Sequence, residues 1–263
     1  MSSTVTALLI VVLAFPLLMY FMQDSLLFHP QPLNEMQRKA IAARHAGVEE
    51  IVLQAEGARL HAWRVKGQPG KPLVIYFGGN AEEVSWMIDD ARSRAPGVGW
   101  LLVSYRGYGG SDGAPSEEAI SADALRWYDH AVKELGATKV ITFGRSLGSG
   151  AAVFLASQRK VDAVVLVTPF DSLVEVAKHH YPYLPVSLML RHRFDSAQLA
   201  PKLAMPLLCI AAERDSVIPA AHARRLYEDW GGPKRWILLD GAGHNNTDGA
   251  PVFWPSIAAF LQQ

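Results

Sequence analysis

Gly144-Arg145-Ser146-Leu147-Gly148 sets a serine between two glycines in the pattern G-x-S-x-G. Residues 138–143 (TKVITF) read as a buried strand before it, and 147–159 read as a helix after it. A sharp strand-to-helix turn strains the residue at its apex and pushes the serine Oγ outward. The flanking glycines leave room for the chain to reverse. A hydroxyl is a weak nucleophile at neutral pH and needs a base. Of nine histidines, His244 is placed best. It lies in Gly241-Ala242-Gly243-His244-Asn245, just after the run 234–239 (KRWILL). In a parallel sheet, a loop there opens at the same carboxyl edge as the serine turn. His29, His45 and His61 precede the core sheet, and His130 and His222 fall within expected helices. His179, His180 and His192 sit in a long insertion; they lack HExxH spacing and a cysteine cluster, so no metal site is expected.

The acid should come from another loop at that edge, between serine and histidine in chain order. Asp215, after the run 206–211 (PLLCIA), meets both demands. Its carboxylate would accept Nδ1–H of His244, fixing the tautomer and stabilising the imidazolium. Asp171, after the preceding strand, is the reserve, and Glu213 a weaker one. Asp240 and Asp248 lie too close to His244 in sequence. An oxyanion formed at the serine needs backbone N–H donors. One is expected from Leu147, at the helix start. The other is expected from Asn80, in Gly78-Gly79-Asn80-Ala81, where paired glycines permit close approach of the backbone.

These residues need a frame that holds them at one edge. Strands are expected over 50–55, 59–66, 72–77, 99–105, 138–143, 161–167, 206–211 and 234–239. Helices are expected over 81–95, 116–135, 147–159, 220–230 and 251–261. A tight turn at Glu56-Gly57 makes the first two strands a hairpin. The alternation that follows predicts an α/β fold: a mainly parallel, eight-stranded sheet with helices on both faces. Residues 170–203 break the rhythm with Pro182, Pro185 and Pro201 among apolar and aromatic residues. So long an insertion after the sixth strand predicts a small lid over a site.

Half of the 263 residues are apolar and 19% are charged, enough for one large core and too few charges for disorder. Lys plus Arg equals Asp plus Glu at 25 each, and no basic cluster occurs, which disfavours nucleic acid. Cys209 is the sole cysteine, so no intrachain disulfide can form; within Leu207-Leu208-Cys209-Ile210 it reads as a small core residue. No glycine-rich nucleotide fingerprint follows the first strand, so no cofactor is expected.

Residues 5–22 (VTALLIVVLAFPLLMYFM) carry no charge. As a helix they would span about 27 Å, close to a bilayer's hydrocarbon thickness. Without a preceding Lys or Arg or a small-residue cleavage site, the segment reads as an uncleaved anchor rather than a signal peptide. A helix packed on the domain would need a polar outer face that this run lacks. The expected organisation is an anchor over 1–24, a linker over 25–49 and a catalytic domain over 50–263. Arg38, Lys39 and Arg44 place that domain on the cytoplasmic side by the positive-inside rule.

With these residues in place, the chain from about Glu50 to Leu261 resembles the α/β-hydrolase superfamily. Within it, the chain is similar to membrane-anchored hydrolases of the serine-aminopeptidase/monoacylglycerol-lipase-like branch. The stretch Tyr105-Arg106-Gly107-Tyr108-Gly109-Gly110-Ser111 carries the likeness, together with Thr168-Pro169-Phe170-Asp171-Ser172 and Ala242-Gly243-His244. The resemblance implies Ser146, Asp215 and His244 as a triad, and Leu147 and Asn80 as the oxyanion hole. The family often has His-Gly-Asn where this chain has Gly78-Gly79-Asn80, a change that leaves the backbone donor in place. The expected chemistry is hydrolysis of an acyl ester or thioester, lipid-like if the apolar insertion lines the site. A peptidase or amidase of the same fold is the alternative, with Glu82-Glu83 the nearest pair to grip an α-amine. A non-catalytic, membrane-tethered interaction protein is the third reading.

Overall fold

The structure is a computed structural model that describes residue 14 and residues 17–263. Most of the expected anchor therefore lies outside the described residues. The described part of helix α1 covers 17–27 and is followed by α2 (Glu35–Arg44). Then come β1 (Val48–Ala55), β2 (Ala58–Val65), β3 (Leu73–Phe77), α3 (Met87–Arg94) and β4 (Gly99–Val103). The chain continues through α4 (Glu117–Lys133), β5 (Val140–Arg145), α5 (Leu147–Gln158), β6 (Ala163–Val167) and α6 (Leu173–His180). The last elements are α7 (Val186–Met189), α8 (Ser196–Leu199), β7 (Leu207–Ala212), α9 (Ala220–Asp229), β8 (Lys234–Leu239) and α10 (Phe253–Leu261).

One eight-stranded sheet has the order β1-β2-β4-β3-β5-β6-β7-β8. The β1–β2 hairpin and the β2–β4 pair are antiparallel, and every pair from β4 to β8 is parallel. This is the α/β-hydrolase fold. Strands β3 to β7 are buried on both faces, which is why they read as unbroken apolar runs rather than alternating ones. One face packs Trp127 of α4, Leu155 of α5 and Leu226 of α9. The other packs Met87 and Ile88 of α3 with Phe253 and Ile257 of α10.

Helix α4 begins where its chemistry says: the Ser116 hydroxyl accepts the Ala119 N–H at 3.0 Å, with Glu117 and Glu118 in the first turn. The helix expected over 81–95 starts later. Ala81 adopts a left-handed φ of +56°, and a short 3-10 turn (Val84–Trp86) precedes α3. Residues 25–49, expected as a linker, are folded onto the domain. Asn34 and Gln37 form a capping box at α2, Phe28 is buried in the core, and Pro32 bridges to Gly109.

The end of the expected anchor that the structure describes, residues 17–24, packs on the domain. Gln23 supplies the polar contact: it is buried, its amide donates to the Met189 carbonyl at 3.2 Å, and its Oε1 accepts the Arg191 N–H at 2.7 Å. Leu17, Leu18, Phe21, Met22 and Leu26 remain exposed on the outer side. Among the described residues, no helix is long and apolar enough to cross a membrane.

Candidate active site

Strand β5 ends at Arg145 and α5 begins at Leu147, so Ser146 alone forms the turn between them. Its φ and ψ of 50° and −118° lie where non-glycine residues are strained. The Ser146 N–H donates to the Val167 carbonyl at 2.9 Å, which ties the turn to β6. The carbonyl of Ser146 accepts from the Ser149 hydroxyl at 2.6 Å. A Cβ at Gly144 would collide with the backbone of Gly148 and Ser149, and one at Gly148 with the carbonyls of Phe77 and Gly78. Those two glycines are therefore steric requirements of the turn.

His244 Nε2 lies 2.8 Å from Ser146 Oγ, and His244 Nδ1 lies 2.7 Å from Asp215 Oδ2. The other oxygen of Asp215 accepts the Val217 and Ile218 N–H groups at 2.9 and 2.7 Å. The carboxylate is thus held by its own loop while one oxygen stays directed at the imidazole. With Nδ1 protonated, Nε2 is the acceptor for the serine proton. The arrangement can deprotonate Ser146 as it attacks and return that proton to a leaving group.

Asn80 lines the opening at Ser146, and neither its N–H nor that of Leu147 donates to another protein group among the described residues. Leu147 is the first residue of α5, where the N–H has no carbonyl one turn back. The loop carrying Asn80 is held by Glu82. That carboxylate accepts the Gly79 N–H at 2.6 Å, the Tyr76 hydroxyl at 2.6 Å and the Trp86 indole N–H at 3.0 Å. The Tyr105 hydroxyl donates to the Gly78 carbonyl at 2.7 Å. Burial, with the Glu82 charge beside them, pushes both tyrosine phenols well above their usual range, so they stay neutral donors. Glu83 is taken up by the Ser85 backbone N–H at 3.1 Å and by its hydroxyl. Both carboxylates are engaged by neutral donors, and both line the opening at Ser146.

Sequence reasoning missed the Glu82 brace. Its signal was an acid just after a glycine pair, which reads equally well as ordinary helix-start chemistry. The reserve acid Asp171 is elsewhere: it bonds His222 Nδ1 at 2.8 Å and Arg225 Nε at 2.6 Å. Glu213 accepts the Gly241 N–H at 2.7 Å and braces the histidine loop. Among the described residues, no group of three metal-ligating side chains is assembled.

Ser146 opens into a cavity of about 450 Å³ lined by Asn80, Glu82, Trp86, Val217 and Asn245. An apolar cavity of about 300 Å³ lies next to it, between α1 and the insertion, lined by Tyr20, Leu27, Leu173, Val176, Leu184 and Met189. Two contacts form the partition between the cavities. The Asn80 amide bonds the Leu27 carbonyl, and His180 Nε2 lies 2.8 Å from the Val217 carbonyl. The insertion thus reaches the rim of the Ser146 cavity at Val217. Its ends are buried through Phe170, Phe194 and Leu203, and Tyr183 and Leu188 stand in solvent.

A family model for serine hydrolases matches residues 114–263. An uncharacterised protein of Mycobacterium tuberculosis is 36% identical over 210 residues, covering 77% of this chain and 74% of that protein. An uncharacterised membrane protein of Saccharomyces cerevisiae is 30% identical over 213 residues, covering 77% and 75%. The lysophosphatidylserine lipase ABHD12 of Danio rerio is 30% identical over 185 residues, but covers 61% of this chain and 48% of its own length. Among solved structures, an esterase of Pyrococcus furiosus superposes with a TM-score of 0.68 at 15% identity, covering 90% and 98% of the two chains. At that identity it speaks for the fold alone. The strained serine turn, the family match and the relatives together establish that this chain belongs to the serine hydrolase family, within the α/β-hydrolase superfamily.

Proposed function

We propose that the protein hydrolyses an acyl ester or thioester through an acyl-enzyme at Ser146. The reading rests on one observation: Ser146 Oγ, His244 Nε2, His244 Nδ1 and Asp215 Oδ2 are linked by contacts of 2.8 and 2.7 Å at a strained turn. Ser146 Oγ attacks the acyl carbon while His244 Nε2 takes its proton. Asp215 holds the imidazole and stabilises the imidazolium. The carbonyl oxygen gains the negative charge and is met by the Asn80 and Leu147 N–H groups. Collapse breaks the bond to the alcohol or thiol, which leaves with the proton from His244. Water then repeats the sequence on the acyl-enzyme and releases the acid.

The same reading takes a lipid-like acyl chain as the substrate. The apolar cavity across the Asn80–Leu27 contact from the Ser146 cavity and the lipase activity named for the zebrafish relative support it. Residues 5–22 anchor the protein, with the exposed apolar side of α1 against the membrane; the apolar run and the word membrane in the yeast relative's name support an association with a membrane. The insertion over 170–203 is the acyl-side wall of the site within a catalytic domain over 50–263.

The test uses the full chain in detergent, p-nitrophenyl esters from two to sixteen carbons or so, and a fluorophosphonate probe. Turnover and labelling should both vanish in Ser146→Ala, a loss of about 10⁴-fold or more. Activity should rise as the acyl chain lengthens toward what the apolar cavity holds. Turnover that survives Ser146→Ala would overturn the nucleophile, and a profile confined to acetate would overturn the lipid-like substrate.

A further inference from the structure

Asn80 lines the cavity at Ser146, and its side chain is taken up by the chain that follows α1. Its amide nitrogen donates to the Leu27 carbonyl. Its Oδ1 accepts the His29 N–H at 2.9 Å, the Tyr108 hydroxyl at 2.8 Å and the Ala81 N–H at 3.1 Å. His29 N also lies 3.0 Å from the Tyr108 oxygen, so Leu27, His29 and Tyr108 close on one amide. The next residue, Ala81, sits at φ +56°, a conformation that local sequence does not favour and that surrounding contacts must hold.

The segment that grips Asn80 is itself fixed at both ends. Upstream, Asp24 bonds Arg191 at 2.7 Å and His192 Nε2 at 2.8 Å, and Gln23 bonds the backbone of Met189 and Arg191. Downstream, the Leu33 N–H donates to the Gly109 carbonyl at 2.7 Å and the Gly109 N–H to the Gln31 carbonyl at 2.9 Å. Leu27 to His29 is therefore a rigid bracket, built from a stretch far outside the catalytic motifs.

We propose that Leu27–His29, acting through the Asn80 side chain and Tyr108, is a positioning element that aims the Asn80 N–H at the developing oxyanion. It rests on the serine-hydrolase reading above and adds a role that the motif residues do not carry. Asn80 then serves twice: its backbone stabilises the transition state and its side chain sets where that backbone lies. An oxyanion donor is effective only within tenths of an ångström of its ideal place, and losing one costs about 10²- to 10³-fold in kcat. The segment joining the membrane-proximal helix to the domain is accordingly part of the catalytic apparatus.

Asn80→Ala keeps the backbone N–H and deletes the side-chain clamp. In the full chain in detergent, with p-nitrophenyl butyrate, it should lower kcat by about 10- to 100-fold with KM within about threefold. Fluorophosphonate labelling of Ser146 should slow in parallel. Tyr108→Phe keeps the ring and removes one contact, and should lower kcat by about 3- to 10-fold. A purely structural strap would lower Tm and leave kcat unchanged at temperatures well below it; that result in both variants overturns the proposal. A rise in KM alone also overturns it, because it makes Asn80 a substrate contact. Should Asn80→Ala fail to fold, an unchanged kcat in Tyr108→Phe overturns it alone. Ser146→Ala, run alongside, separates the two failures. Activity surviving there sinks the serine mechanism, whereas activity lost there but intact in the Asn80 and Tyr108 variants sinks only the bracket.

Discussion

The pairs Asp171–His222 and Asp215–His244 both follow strands of the parallel sheet, and of the two only the second faces the Ser146 hydroxyl. Asp171 follows β6 and meets His222 of α9; Asp215 follows β7 and meets His244 beyond β8. Their Nδ1–carboxylate distances are nearly equal, 2.8 and 2.7 Å. The difference lies in what else each acid touches. Asp171 gives its second oxygen to the Arg225 guanidinium at 2.6 Å, and Arg225 Nη2 also lies 2.7 Å from His222 Nδ1. Asp215 gives its second oxygen to two neutral backbone N–H groups. One carboxylate has its charge cancelled by a cation; the other keeps it for an imidazolium. A histidine–aspartate pair becomes a catalytic base only where that charge is unspent and Nε2 points at a nucleophile.

The contrast can be broken by exchanging activity for stability. His244→Ala should cost about 10⁵-fold or more in kcat with Tm nearly unmoved, since the triad residues act as a unit. His222→Ala should do the reverse, leaving kcat within about threefold. Asp215→Asn should follow with a loss of about 10²- to 10⁴-fold, as the amide favours the wrong tautomer. Asp171→Asn should leave turnover intact and destabilise by about 3 kcal/mol, because Arg225 loses its counter-charge and a buried hydrogen-bond network is broken. Equal losses of kcat in the two aspartate variants would erase the distinction.

Acid titration sharpens it further. Burial pushes the Asp171 carboxyl up, but hydrogen bonds from His222 and Arg225 outweigh this and hold it below the usual carboxylate value. Its stabilisation is complete above that usual value and is lost as pH falls through the lowered one. His61 is a third histidine with a different fate. Glu50 Oε1 lies 3.1 Å from its Nε2, but the same oxygen binds Arg38 at 2.8 Å. Burial, with the Arg38 charge, lowers its pKa to about 4. The unfolded chain then takes up a proton before the folded one does. Stability should fall as pH drops from about 6.5 to about 4, by about 2 kcal/mol at pH 5. His61→Gln should flatten that limb of a denaturant-midpoint against pH curve, and an unchanged slope would show that His61 is not buried neutral.

Local pattern reported the strands well, because doubly buried parallel strands must be apolar and the turns between them carry glycine and proline. Helix α4 was legible in the helical pattern over 116–135, and the Ser116 cap with its two following acids accounts for where it starts. The start of α3 was not, because Ala81 is held left-handed by contacts that no local rule encodes. Ser146, His244 and Asp215 could be named because each follows a strand that ends at one edge. Glu82 and the Asn80 bracket could not, because their meaning depends on partners such as Leu27, 53 residues away. The packing of α1 hid for the same reason: hydropathy saw only apolar side chains, and the deciding contact is a single glutamine, Gln23, with the backbone of the insertion.

That glutamine also sets an order of events during synthesis. Its partner Arg191 lies 168 residues downstream. At translation rates of about 5–20 residues per second, α1 waits roughly 8–34 s for the surface it packs against. The outward face of Leu17, Leu18, Phe21 and Leu26 stays exposed even then. A nascent chain needs a holding surface for such a stretch through that interval. The helix therefore reaches its seat on the domain only after the insertion that carries Arg191 has been made.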